Sequence, residues 1–303
     1  MTLPYLGRLA CFCLAAFFLC HTAVAAAIYA LASCAIRRAS RMFPRTAARF
    51  ILALRLLPPA AASVLVLGLC VPSYLVLERN VDTEQVGGMG LMLALLAVVI
   101  CAAGIARAAK AAVQSEWHLR RQKERGVPLF LLAGVFRPRL IVSAAVRDVL
   151  TREEFEAALL HERAHGRARD NFKRLLILGA PDALPFLRGF ELLDACWNRL
   201  SEWAADDSAV EGSPERALAL ASALVRVGRI GAAVPQVQLG TSLVADGKDL
   251  AIRVERLIEG ERRYAPPRHG LLAGALAVLV AAAVLSGPST FRTVHQLLEL
   301  LAH

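Results

Sequence analysis

The stretch TREEFEAALLHERAHGRA, residues 151–168, carries the most information in this chain. Thr151 followed three residues later by Glu154 is a capping box, so a helix starts here and runs through Ala168. Residues four apart share one face of a helix. His161 and His165 of His161-Glu162-Arg163-Ala164-His165 therefore bring two imidazoles to one tetrahedral zinc ion. Glu162, beside the first imidazole, reaches a water at the metal and has the chemistry of a general base.

A catalytic zinc site takes three protein ligands and keeps one position open. The third is expected from a second helix, spanning roughly Phe190–Val210 and stopping near Gly212, which carries Glu202-Trp203-Ala204-Ala205-Asp206. Glu202 is placed to complete the metal set. Asp206, one turn on, is placed to accept the free ring N–H of a ligand histidine and counts with the catalytic group. Other zincin patterns do not apply, because position 171 is Asn171 and no H-x-x-E-H occurs. Ser213-Pro214 opens a further helix, and Val127–Ala133 and Leu140–Ser143 read as short strands around Gly134 and Pro138.

The composition around this motif is that of a membrane protein. Of 303 residues, 57% are hydrophobic, against roughly 45–50% in soluble domains. Segments long enough for a bilayer core are Leu9–Ile36, Leu56–Leu77, Met89–Ala106 and Leu271–Ser286. The first is read as a retained helix, with a signal peptide ending near Ala23–Ala25 as its rival. The seven cysteines contain no C-x-x-C pair, and six of them lie in apolar segments, which excludes a redox motif or zinc knuckle.

The net charge of +10 suggests nucleic acid only until it is divided along the chain. Residues 1–109 carry +6, and Arg37, Arg38, Arg41, Arg45, Arg49 and Arg55 crowd the first connection. The positive-inside rule puts that connection and residues 110–268 in the cytoplasm. Arg262, Arg263 and Arg268 before the fourth span agree. The expected fold class is an α-helical multi-span membrane protein with a mainly helical α+β zincin domain. Its domains are three transmembrane helices over 1–109, a cytoplasmic metallopeptidase domain over 110–268, and a fourth span with a short amphipathic tail over 269–303.

His161–His165 with Asp170 five residues on, and Glu202-x-x-x-Asp206, resemble the integral-membrane gluzincin peptidases, the BlaR/MecR-type family most of all. The run Phe136-Arg137-Pro138-Arg139-Leu140-Ile141-Val142-Ser143 and the following Leu150–Phe155 resemble the stretch before the motif there. The likeness covers roughly residues 126–210. Arg253-Val254-Glu255-Arg256-Leu257 echoes an Arg-Ile-x-x-Leu element of the related CAAX-type membrane proteases.

The resemblance implies a bacterial inner-membrane zinc endopeptidase with one Zn2+ per chain and a cytoplasm-facing site. Protein or peptide substrates would bind by addition to an edge strand, Val127–Ala133 or Leu140–Ser143. A cytoplasmic repressor, the cytosolic loop of a membrane protein and self-cleavage are all compatible with this layout, the first and last giving a regulatory role. Arg253 would be an oxyanion stabiliser or an exposed helix arginine, and Asp170 a partner of a ligand histidine or a charge at a helix end. No S-x-x-K follows the last span, so the penicillin-binding sensor domain of those relatives is not expected. The partners expected are the substrate and the bilayer, with no nucleic acid. A non-catalytic zinc-binding membrane sensor or scaffold is the alternative function.

Overall fold

The structure is a computed structural model that describes residues 5–77, 86–124, 130–136, 138–185, 189–231, 240–242 and 247–260. The expected fourth span, the amphipathic tail and the arginines before that span lie outside the described residues. What is described is mostly helical, with one small sheet.

Three helices are long and apolar enough to cross a membrane: Tyr5–Ala39, Pro44–Val76 and Gly88–Trp117, with mean hydropathy of 2.2, 2.1 and 2.6. The first is α1 (Tyr5–Ala39). The second is composite, α2 (Pro44–Leu65) running through a π turn at Val66–Cys70 into α3 (Val71–Leu77). The third belongs to α4 (Gly88–Glu124).

The arginine-rich connection proves shorter than the sequence suggests. Pro44 occupies the first turn of α2, where its missing N–H costs nothing. Only Ser40–Phe43 therefore lies between the two helices. Arg37 and Arg38 sit in the last turn of α1, and Arg45, Arg49 and Arg55 ride on α2.

The remaining elements are β1 (Phe130–Ala133), β2 (Arg139–Val142), α5 (Ala144–Val149), α6 (Arg152–Ala168), α7 (Asp170–Gly179), α8 (Gly189–Val210), α9 (Pro214–Gly231), β3 (Gly240–Ser242) and α10 (Gly247–Glu259). The sheet order is β2-β1-β3, antiparallel throughout, with Leu131 opposite both Ile141 and Ser242. β1 is thus the centre strand, not the edge that substrate addition requires. The third strand, Gly240–Ser242, has no alternating apolar pattern and was not foreseen. β2 has no strand on its other side among the described residues.

The capping box forms as expected. Glu154 N–H donates to Thr151 Oγ1 at 3.3 Å and Thr151 N–H donates to Glu154 Oε2 at 2.9 Å. Glu154 also anchors α6 to α9, since its Oε1 lies 3.1 Å from Arg226 Nε and accepts from the Ser222 hydroxyl.

Two apolar cores set the position of the motif helices. One joins Ala157 and Ala158 of α6 to Leu220 and Leu224 of α9, with Phe130 and Val146. The other joins Leu193, Trp197 and Leu200 of α8 to Ile28 of α1 and Ile51 of α2. α8 therefore shares its core with two of the apolar helices. Arg55 reinforces the contact, with Nε 3.1 Å from Asp194 Oδ1 and its guanidinium 4.4 Å from the centre of the Phe190 ring. α7 touches α4 as closely, because a Cβ on Gly104 would collide with the Gly179 carbonyl oxygen.

Candidate metal centre

α6 presents His161 and His165 on one face and α8 presents Glu202 opposite them. These three form a group whose ligand atoms could hold a metal ion. His161 Nε2 is 3.2 Å from His165 Nε2, and Glu202 Oε2 is 3.5 and 3.6 Å from the two nitrogens. Ligands about 2.0–2.1 Å from a tetrahedral ion stand about 3.3–3.4 Å from one another. The observed triangle therefore has the right size.

The chemistry of the donors agrees with the size. His165 Nδ1 lies 2.8 Å from Asp170 Oδ2 and His161 Nδ1 lies 2.9 Å from Asp206 Oδ1, the latter off the ideal N–H direction. Each carboxylate favours the proton on Nδ1, which turns the lone pair of each Nε2 toward the centre. Glu202 Oε2 is buried there too and accepts no hydrogen bond from the described residues, though Arg253 Nη1 stands 3.2 Å away. Three electron-rich atoms converging at this distance fit a cation between them.

The same demand for positive charge shows in the titration of the imidazoles. Burial opposes charging His165, but Glu202 and Asp170 outweigh it and push its pKa up to about 10. His161 is likewise buried and likewise raised, by Asp206 and Glu202. Burial alone would raise Glu202, yet His165 and Arg253 hold it well below the usual carboxylate range. Asp206 follows the same balance, brought down to about 2 by Arg253 and His161.

Protons and metal therefore compete for the two Nε2 atoms. Metal affinity is expected to rise with pH from 6 to 9, with protons released on binding, as calorimetry in buffers of different ionisation enthalpy would show. The sign for the metal-free protein is opposite. The folded-state pKa of His165 is raised, so its stabilising contribution is complete below about pH 6.5 and is lost as pH approaches 10.

Arg253 of α10 is not an exposed arginine. It is 3% exposed, with Nε donating to Asp206 Oδ2 at 2.9 Å and Nη2 to Asp206 Oδ1 at 2.7 Å. This two-pronged pairing places the guanidinium against Asp206 and Glu202, with Nη2 3.5 Å from His161 Nε2. Asp170, the first residue of α7, is turned back toward His165 by the left-handed backbone of Arg169, φ 56°. Its other oxygen, Oδ1, accepts from Lys173 Nζ at 2.8 Å.

Glu162 is fully buried, and its Oε2 accepts from the Leu132 N–H of β1 at 3.1 Å. The structure thus brings His161, Glu162, His165, Asp170, Glu202, Asp206 and Arg253 into one cluster. Sequence reading missed Asn171. Its amide donates to the carbonyls of Leu132 at 3.0 Å and Gly134 at 2.9 Å, locking β1 to α7. No local signal marks it, because the two carbonyls it meets lie 39 and 37 positions earlier in the chain.

Comparison with protein-family models, curated proteins and solved structures finds no match to this chain.

Proposed function

We propose that this protein is a membrane-embedded zinc-dependent endopeptidase of BlaR/MecR type. Its site would face the bacterial cytoplasm and cut cytoplasmic or membrane-protein chains. The observation that carries the reading is the His161–His165–Glu202 triangle of 3.2–3.6 Å with the carboxylate of Glu162 on the adjoining residue.

His161, His165 and Glu202 would hold the ion, one per chain. Zinc in such a set polarises a carbonyl and makes water a nucleophile near neutral pH. Glu162 takes a proton from the attacking water and delivers it to the leaving amine. The hydrogen bond from Leu132 keeps Glu162 Oε2 fixed during that exchange. Asp170 and Asp206 set the tautomer and tilt of the imidazoles.

Arg253 takes a different part from the oxyanion role that resemblance implied. Two of its three nitrogens donate to Asp206 and the third stands at Glu202, so it is a positioning residue for both. Leu132 is likewise committed, its N–H to Glu162 and its carbonyl to Asn171. Substrate addition directly on β1 would compete with these bonds and with β3, which favours the outer side of β2.

The test compares new protein N-termini in cells carrying wild type and Glu162→Gln. Removing a general base is expected to slow cleavage by about 10²–10⁴-fold, so the new termini disappear while metal content stays at one per chain. Unchanged termini in the Glu162→Gln cells, with zinc still bound, would leave the sensor or scaffold reading instead.

A further inference from the structure

We propose that the arginine-rich tip of the α1–α2 hairpin is a docking surface for an acidic stretch of the polypeptide substrate. This rests on the peptidase reading and its membrane placement. Arg37, Arg38, Arg41, Arg45 and Arg49 are all exposed, and none forms an ion pair with a described residue. Residues 1–77 contain no Asp or Glu to neutralise them. Phe43, 45% exposed in the turn between the helices, adds an apolar contact among the charges.

Arginines that follow a membrane span ordinarily meet lipid headgroups. These stand too far out. Arg107 is the first charged residue after the apolar run Met89–Ala106, so it marks where that span leaves the hydrocarbon. Arg55 lies at the same level, because both arginines donate to carbonyls at the end of α7. Arg55 Nη2 reaches Ile177 at 3.4 Å, and Arg107 reaches Leu178 at 3.4 Å and Ala180 at 3.0 Å. Tyr29 of α1 joins that level through Phe190, whose ring meets both Arg55 and Tyr29.

A helix rises about 1.5 Å per residue, so Arg49 and Arg45 stand about 9 and 15 Å past Arg55. Arg37 and Arg38 stand about 12 and 14 Å past Tyr29 by the same rise. Arg41, in the turn, is at the tip itself. The headgroup layer adds only about 5–7 Å to each side of the hydrocarbon. Beyond it the field of anionic lipid decays over a Debye length of about 8 Å. The tip therefore clears the headgroups and offers its charge to the aqueous phase.

Position and chemistry name the occupant. Ala39 and Ala47, on either side of the turn, share a core with Leu200 and Trp203 of α8, and Glu202 directly precedes Trp203. A chain held at the tip thus lies beside the helix that bears the third metal donor. Guanidinium forks match carboxylates with two parallel hydrogen bonds. A nucleic-acid duplex engages about 1,000 Å² or more of protein surface. The tip of two helices about 8–10 Å apart is narrow for that.

The experiment uses the full zinc-loaded chain in nanodiscs of zwitterionic lipid. The probes are a fluorescent peptide of alternating Glu and Ser and its Gln counterpart. The Glu peptide is expected to bind at least tenfold more tightly than the Gln peptide, with affinity falling as salt rises. Arg38→Gln, Arg41→Gln and Arg45→Gln combined are expected to weaken it about tenfold, the yield of three exposed charge pairs. Metal content and unfolding temperature stay unchanged, and Lys at the same three positions keeps most of the binding. Joining the Glu run to a cleavable peptide is expected to lower its KM about tenfold at unchanged kcat, an effect lost with the three Gln substitutions.

Equal affinity for the two peptides, or binding indifferent to the three substitutions, would overturn the docking surface. Loss of peptide binding in discs that contain phosphatidylglycerol would assign the arginines to headgroups instead. A DNA duplex that binds more tightly than the Glu peptide, through the same arginines, would assign them to nucleic acid. Arginine-dependent binding with no effect on KM would overturn the role in substrate capture and leave the peptidase standing. No Glu162-dependent cleavage of any peptide would overturn the peptidase reading, whatever the tip binds.

Discussion

His161→Ala is expected to take the protein from one bound metal ion per chain to none, and to abolish any hydrolysis with it. His161 is one corner of the triangle whose sides are 3.2, 3.5 and 3.6 Å. Two remaining donors leave an ion half-solvated, and partners behind the ligands are alone worth about 10–100-fold in affinity. Loss of a ligand itself exceeds that range. The substitution also strips Asp206 of its imidazole contact, although Arg253 still holds that carboxylate from the other side. The check is elemental analysis after desalting, with Arg163→Ala, exposed on the same helix, as the control that keeps its metal. A His161→Ala protein still carrying one ion per chain would place the metal elsewhere.

Arg253→Met is expected to produce the largest stability change of any substitution outside the metal ligands. The side chain is 3% exposed, and it neutralises Asp206, which is fully buried, and Glu202. Removing one partner of a buried ion pair typically costs about 3–5 kcal/mol, because the remaining charge is left uncompensated. Here two carboxylates lose the same cation. A bound metal supplies positive charge to the same cluster, so zinc should recover part of the loss. Thermal unfolding with and without zinc measures both effects. Arg253→Lys should rescue only weakly, since a single ammonium cannot grip Asp206 with two parallel hydrogen bonds. Equal unfolding temperatures for wild type and Arg253→Met would show that the guanidinium does not hold the site.

Much of the candidate site was legible because its signals are local. The capping box at Thr151 and the i, i+4 spacings of His161/His165 and Glu202/Asp206 follow from helical geometry within a few residues. The three apolar spans were legible for a different reason, since length and composition suffice. Their ends were less so. Arginines that looked like a loop proved to lie on helices, and Arg55, counted as a topology charge, is engaged with Asp194 on α8.

What stayed hidden involves contacts between distant residues. Nothing around Arg253 in the chain announces that it meets Asp206, 47 positions away. Asp170 could be read either as a ligand's partner or as a helix-end charge until the left-handed turn at Arg169 aimed it at His165. β3 carries no alternation to betray a strand, so β1 looked like an edge when it is the centre of the sheet.

The sequence by itself therefore determined the helices, their apolar faces and the identity of three donors that could hold a metal ion, because periodicity and residue chemistry are properties of short segments. Only the tertiary structure decided that the donors close to within 3.2–3.6 Å of one another and that Arg253 braces them. It alone showed that α8 packs its other end on the apolar helices. Those outcomes depend on how helices far apart in the chain pack. The burial that drives the packing is shared among many side chains, so no single motif encodes it.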